Sequence, residues 1–414
     1  MKEKLIRFNL KNGVRVIHTP EPGENVHCAL LINAGTRDEK GENTGLAHLI
    51  EHCIFKGTPN KTSLDILQSI DAVGGELNAY TTKEDTCVYV SVGLPYFERA
   101  LELLSDITLN SVFPAREVSK EKDVISDEIH AYLDSPAEQI HDDFEAQLFH
   151  LHPLGRNILG DEKAMRGVTA SALREFIHTQ YRGRNVVFSC AGNIAPARVK
   201  KLTEKYLSPF LSSEGLPQRK TFGAYKPFHL HPVRKTHQAH CILGNLAYSS
   251  AHPYRTVFIL LNNLLGGPAM NSRLNLGIRE KYGYTYQIES NYTAYSDSGI
   301  FSIYFGTDPG NVDITGKLIR KELNLLMKNK LSTRELHDAK VQLCGQITLA
   351  RESRLSTVIS HAKNLLLFDE AETLGVWMEK IRKVSAAQIL EAANEIFEEK
   401  RMSSLLFSPG HKRK

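Results

Sequence analysis

The chain has 414 residues, of which 42% are apolar and 24% charged, the balance of a soluble globular protein long enough for more than one core. A formal net charge of +4 is too small over this length to point to nucleic acid or an anionic membrane, and no apolar run approaches the roughly eighteen residues of a membrane span. The six cysteines (Cys28, Cys53, Cys87, Cys190, Cys241 and Cys344) are scattered, form no Cys-x-x-Cys pair and sit mostly in apolar stretches, so reduced core thiols and a cytoplasmic location are expected.

The charged, alternating N-terminus, Met-Lys-Glu-Lys-Leu-Ile-Arg-Phe, reads as a strand instead of a secretion signal. Ile6, Phe8 and Leu10 alternate with polar residues, Asn12-Gly13 offers a type I′ turn, and Val14 and Val16 alternate again, which predicts a β-hairpin. Val26 to Ala34 is apolar enough for a central strand. After a polar loop, Asn43 or Thr44 can cap a helix from Gly45 to about Phe55. A second helix follows from Ser63 to Val73, then strands at Leu77–Tyr80 and Thr86–Val92, then a helix opened by Pro95 and running to about Thr108.

The first of these helices carries His-Leu-Ile-Glu-His, His48 to His52. Residues four apart share a helix face, so both imidazoles can reach one metal ion, and Glu51 can bring a carboxylate to the same patch. That is the equipment of a hydrolytic zinc site in the inverted order of the commoner His-Glu-x-x-His helix. A short motif also arises by chance, and a third ligand is needed to decide. The long charged helix from Ala115 to Tyr132 offers Glu121 and Glu128, two turns apart on one face. Glu128 is the candidate ligand, with Glu121 beside it to orient a ligand or tune its charge. A solvated helix face is the alternative reading, and His130 points to a different face. The thiol of Cys53 is expected to pack in the core.

The ensemble of Gly45 to His52, Phe55-Lys56-Gly57-Thr58, Leu77 to Thr81, Glu121 and Glu128 resembles the pitrilysin/insulysin-type metallopeptidases, in their short processing-peptidase-like branch. The 76 residues from His52 to Glu128 agree with that family's interval to its third ligand, and His152 to Gly155, Leu159-Gly160 and Tyr181 to Asn193 are also similar. The resemblance covers nearly the whole chain.

Between Ser208 and Pro232 the sequence gathers prolines, serines and Gly215 without helical periodicity, which marks a linker. The second half then repeats the first. His240 to Leu243 answers His27 to Leu30, Phe258 to Gly267 answers His48 to Gly57, and Leu331 to Ile347 answers Phe113 to Ile129. Phe258, Leu261, Asn262 and Gln346 stand where the first half has His48, Glu51, His52 and Glu128, so only one copy is expected to bind metal. The expected fold is α+β, with two homologous domains in tandem, each a mostly antiparallel sheet packed with helices. Residues 1–212 form the zinc-binding domain, 213–232 the linker and 233–414 the second domain.

The resemblance implies one Zn²⁺ per chain and a peptidase acting on short or unfolded peptides in a chamber, with Glu51 as general base. It further implies that Asn78 and Ala79, on a sheet edge, hold the peptide as an added strand. Arg279 and Tyr286 match the family's arginine–tyrosine element, whose members donate to a peptide carbonyl or its oxyanion. Read without the resemblance, Arg279 makes a surface ion pair and Tyr286 begins a half-buried strand. A homodimer is expected, with no nucleic-acid or membrane partner. The competing expectation is a family member that has lost catalysis and serves as a structural subunit.

Overall fold

The alternation at the N-terminus is a hairpin in which Ile6–Asn9 (β1) pairs antiparallel with Arg15–Pro20 (β2), Phe8 lying opposite Val16. The structure, a computed structural model, describes residues 4–41 and 44–409. The hairpin turn differs from the expected type I′. Gly13 N–H donates to Leu10 C=O at 3.0 Å and Leu10 N–H to Val14 C=O at 2.8 Å, a type I turn closed by Gly13 in the left-handed region at φ +95°. Asn12 does not take positive φ, and its side chain donates to the carbonyls of Leu207 and Phe210.

Asn25–Ile32 (β3), Glu76–Thr81 (β4), Thr86–Gly93 (β5) and Val186–Gly192 (β6) complete a sheet of order β1-β2-β6-β3-β5-β4. Its pairs are antiparallel except β2 with β6. The helices between and after these strands are Leu46–Cys53 (α1), Ser63–Asp71 (α2), Phe97–Leu109 (α3), Ala115–Leu133 (α4), Pro136–Leu148 (α5), Glu162–Gly167 (α6), Ala170–Gln180 (α7) and Pro196–Leu207 (α8).

The second half forms His229–Leu230 (β7), Val233–Arg234 (β8), Ala239–Leu246 (β9), Thr285–Ala294 (β10), Gly299–Thr307 (β11) and Ser403–Pro409 (β12). Its helices are Arg255–Gly266 (α9), Val312–Lys328 (α10), Thr333–Ala350 (α11), Arg354–Phe368 (α12), Leu374–Lys383 (α13) and Ala386–Ile396 (α14). Its sheet runs β7-β12-β9-β11-β10, with β7 parallel to β12 and β8 also paired to β12. Setting aside β1 and β8, the two sheets have the same order of strands in space and in sequence. The repeat read in the sequence is therefore a repeat of topology.

The chain divides into two units, and the division differs from a single cut between residues 212 and 233. Residues 1–129, 156–220 and 350–374 form the first unit, and 130–155, 221–349 and 375–414 the second. The halves exchange one helix each. In β3, Cys28, Leu30 and Ile32 face α1 and α3, while Ala29 and Leu31 face away. That second face, with Ile17 and Val187, is covered by Val358, Ala362 and Leu365 of α12, from the far half of the sequence. In the second unit Ile242, Ile300 and Phe407 are covered reciprocally by Ile140, Phe144 and Leu148 of α5. Each fully buried aliphatic or aromatic side chain contributes roughly 1.5–3 kcal/mol, so each exchanged helix supplies a substantial share of its host's core. The six cysteines are all unpaired, and all but Cys344 are buried. Among the described residues no helix is long and apolar enough to cross a membrane.

Candidate metal centre

Only eight residues form α1, and its apolar face is shaped by Leu46, Ala47, Leu49, Ile50 and Cys53, all buried. The remaining face presents His48 and His52, whose rings lie 4.7 Å apart, centre to centre, at 71°. The helix starts at Gly45, in the left-handed region at φ +80°, and not at an expected Thr44 cap. Asn43 lies outside the described residues, and the Thr44 hydroxyl accepts instead from Asp161 N–H at 3.0 Å. The free N–H groups of the first turn go to Glu39, whose Oε2 accepts from Gly45 at 3.1 Å and Oε1 from Ala47 at 2.9 Å.

The long helix α4 packs through Val118, Glu121 and Ile125, so Glu121 and Glu128, two turns apart, face α1. Glu128 Oε2 is 3.7 Å from His52 Nε2 and 4.0 Å from His48 Nε2. Among the described residues, these three form the group of His, Cys, Asp or Glu side chains close enough to hold one metal ion, with ligand atoms all within 4.8 Å of one another. Tetrahedral zinc with bonds of about 2.0–2.2 Å sets neighbouring donors about 3.4 Å apart, so the three donors fit the ion with small inward shifts. Two imidazoles and a carboxylate are also a donor set that zinc accepts. His48 and His52 are largely covered and Glu128 is about half exposed, which leaves one side of the group open to a substrate.

Glu121 is buried and occupies both its oxygens. Oε2 is 3.1 Å from His52 Nδ1 and Oε1 is 2.7 Å from Lys56 Nζ. A ligand histidine held this way keeps Nδ1 as the donor and turns its Nε2 lone pair toward the metal. Among the described residues His48 has no such partner, and its buried Nδ1 makes no hydrogen bond to them. Burial, with His52 beside it, holds the His48 imidazole down at about 4, so it is neutral at pH 7. Burial pushes the Glu51 carboxyl above the ordinary carboxylate range, against the lowering effect of the nearby Thr81 and the charge of His52. The Cys53 thiol, within the core, is pushed up to about 12 by the same effect.

Asn78 and Ala79 lie on β4, the edge strand of the first sheet, as expected of a strand that could accept a peptide. The Asn78 side-chain oxygen accepts the Ala79 N–H at 2.8 Å. In the second unit Arg279 lies on a π-helical turn, Asn275–Glu280, with Glu280 3.8 Å away. Tyr286 is the extra residue of a β-bulge between Thr285 and Gln287, and it is 69% exposed. Exposure of this order sets Tyr286 apart from the half-buried strand residue of the plainer reading. Both residues sit on backbone irregularities of the kind that re-aim side chains at functional sites. Phe258, the residue matched to His48 in the sequence repeat, is fully buried against Tyr292 and Phe301, and Leu261, matched to Glu51, is buried as well.

Two contributors escape the sequence reading. Lys56 has a local signal, four residues after His52 and able to meet the Glu121 that serves it. Glu39 has none, because a cap is sought next to its helix and Glu39 precedes Gly45 by six residues.

A duplicated α+β fold with an inverted two-histidine helix and a distant glutamate in one copy defines a class of two-domain metallopeptidases. A family model described as Insulinase (Peptidase family M16) matches residues 15–162, and one described as Peptidase M16 inactive domain matches residues 167–343. A Bacillus subtilis (strain 168) protein named uncharacterized zinc protease YmxG is 33% identical over 410 residues, covering 98% of each chain. An uncharacterized zinc protease of Rickettsia felis is 32% identical over 401 residues, covering 96% of each. The chain belongs to the M16 (insulinase) peptidase family. Its fold is shared with a protease from Helicobacter pylori, at TM-score 0.93 and 20% identity over 98% of this chain and 100% of that one. A Pseudomonas fluorescens structure described as a peptidase M16 inactive domain gives 0.91 and 20% over 99% of each.

Proposed function

We propose that the protein is a zinc-dependent endopeptidase acting on short or unfolded peptides. The observation that carries this reading is the convergence of His48, His52 and Glu128 on one point, with the half-buried Glu51 on the same short helix. A zinc ion held by those three side chains would supply Lewis acidity to a peptide carbonyl and to a water molecule. Glu51 takes a proton from the water as its oxygen adds to the carbonyl carbon, then passes that proton to the departing amine as the C–N bond breaks. Its carboxyl, raised by burial above the ordinary carboxylate range, is a stronger base than a solvated glutamate. The edge of β4 at Asn78 and Ala79 would pair with the peptide backbone, the Asn78 amide giving up its hold on Ala79 N–H. Arg279 and Tyr286 are proposed as donors to the oxyanion of the tetrahedral intermediate. A cytoplasmic homodimer is the proposed working form, and a gel-filtration mass of one chain at working concentration would remove it.

The test is metal content together with cleavage of an unbiased peptide mixture, with and without chelator. The expected result is one zinc per chain and chelator-sensitive cleavage. Glu51→Gln is expected to keep its zinc and lose about 10²–10⁴-fold in rate. If Glu51→Gln cleaves at the wild-type rate, the assigned base is wrong. Zinc-loaded wild-type protein that cleaves nothing would favour the catalytically inactive, structural-subunit reading.

A further inference from the structure

Glu39 is 5% exposed and has no part in the proposed reaction, yet both of its carboxylate oxygens are committed to the first turn of the helix that carries two metal ligands. The main chain around it is fixed as well. Arg156 donates to the carbonyls of Glu39 at 2.6 Å and Gly41 at 3.0 Å. Gly45 and Gly160 touch backbone to backbone, and a Cβ on Gly160 would lie 2.6 Å from Gly45 Cα. On its other side Glu39 follows the turn Thr36–Asp38. There Arg37 Nη1 meets Glu84 at 2.6 Å, and Arg219 grips Asp38 through two contacts of 2.8 Å.

An eight-residue helix is too short to hold its own register in water, so its ends must be held from outside. The two ligand histidines are held unequally. His52 is oriented through its ring, by Glu121, whereas His48 Nδ1 has no partner among the described residues. His48 directly follows Ala47, whose N–H is bound by Glu39. We infer that Glu39 is the positioning residue for His48: by capping the first turn it fixes the backbone from which the imidazole projects, in place of the ring hydrogen bond that metal-ligating histidines ordinarily have.

The inference rests on the metal reading of His48, His52 and Glu128, and its test separates the two. Zinc affinity of the full-length protein is measured by chelator competition well below the melting temperature, for wild type, Glu39→Gln and Glu39→Ala. The visible spectrum of each cobalt(II) form is recorded as a report on ligand geometry. Glu39→Gln keeps the side-chain volume and one acceptor oxygen, so it decides the matter if Glu39→Ala does not fold. The expected result is a zinc Kd raised about tenfold in Glu39→Gln and more in Glu39→Ala, with an altered cobalt spectrum in both. A lowered melting temperature with wild-type zinc affinity and an unchanged cobalt spectrum would reduce Glu39 to a structural cap and overturn the inference. Wild-type protein that binds no zinc would instead overturn the metal reading itself.

Discussion

Glu121 and His52 lie 3.1 Å apart, carboxylate oxygen to Nδ1, and the other oxygen of Glu121 is held by Lys56 at 2.7 Å. The lysine, the carboxylate and the imidazole thus form a relay that ends on the metal-facing Nε2. Removing the carboxylate frees the ring to rotate and leaves the Lys56 charge unpaired beside it. Glu121→Ala is expected to raise the zinc Kd about 10–100-fold, within the range for partners of metal ligands. Lys56→Met leaves the His52 contact in place and is expected to cost only a few-fold. Chelator competition checks both, and equal losses in the two variants would contradict the relay.

His48 and Phe258 are paired in the sequence repeat, one a buried imidazole whose Nδ1 has no partner among the described residues, the other a buried phenyl ring. The His48 imidazole has a folded value of about 4 against an ordinary 6.5, so the folded state binds fewer protons than the unfolded state between those values. Its contribution to stability is present above pH 6.5 and is lost as the pH falls toward 4. With metal removed, His48 makes the protein about 2 kcal/mol less stable at pH 5 than at pH 7. His48→Phe should remove that part of the pH dependence, along with zinc binding. Urea denaturation in chelator at both pH values measures it, and parallel losses in the two proteins would contradict the assignment.

Arg219 meets Asp38 through Nε and Nη2, both at 2.8 Å, and reaches Glu84 at 3.3 Å, with all three side chains mostly covered. A buried pair of this kind costs most when a single partner is removed, because the remaining charge is left desolvated. Asp38→Ala is expected to lose about 3 kcal/mol of stability, whereas Arg219→Met combined with Asp38→Ala should lose less than Asp38→Ala alone. Denaturant midpoints of the single and double variants decide it.

The ligand helix is legible in the sequence because a spacing of four on a helix is a local property, fixed by backbone geometry wherever the helix ends up. Glu128 needs more, since two acids on one face of a charged helix read equally as surface, and without the family's interval only its distance from His52 in the fold distinguishes it. The repeat is legible from apolar runs and glycine stops. The exchange of α5 and α12 is not. Ile140, Phe144 and Leu148 declare an apolar face at helical spacing, but nothing in that spacing says which sheet will cover it. Glu39 is hidden for a related reason, since its pairing with Gly45 and Ala47 depends on the path of a loop.

The exchange makes its own prediction. A fragment ending near residue 220 contains the metal ligands and every strand of the first sheet, and by the linear division it is a complete domain. It lacks α12, so Ile17, Ala29, Leu31 and Val187 would face water where Val358, Ala362 and Leu365 cover them in the full chain. An apolar sheet face of that kind drives association. The fragment is therefore expected to aggregate or to melt far below the full chain, and to bind zinc poorly. A synthetic peptide of residues 350–374 added in trans should raise its melting temperature and restore zinc binding, whereas the same peptide carrying Ala362→Asp should not. A fragment as stable and as zinc-competent as the full chain would show that α12 is dispensable to the first unit.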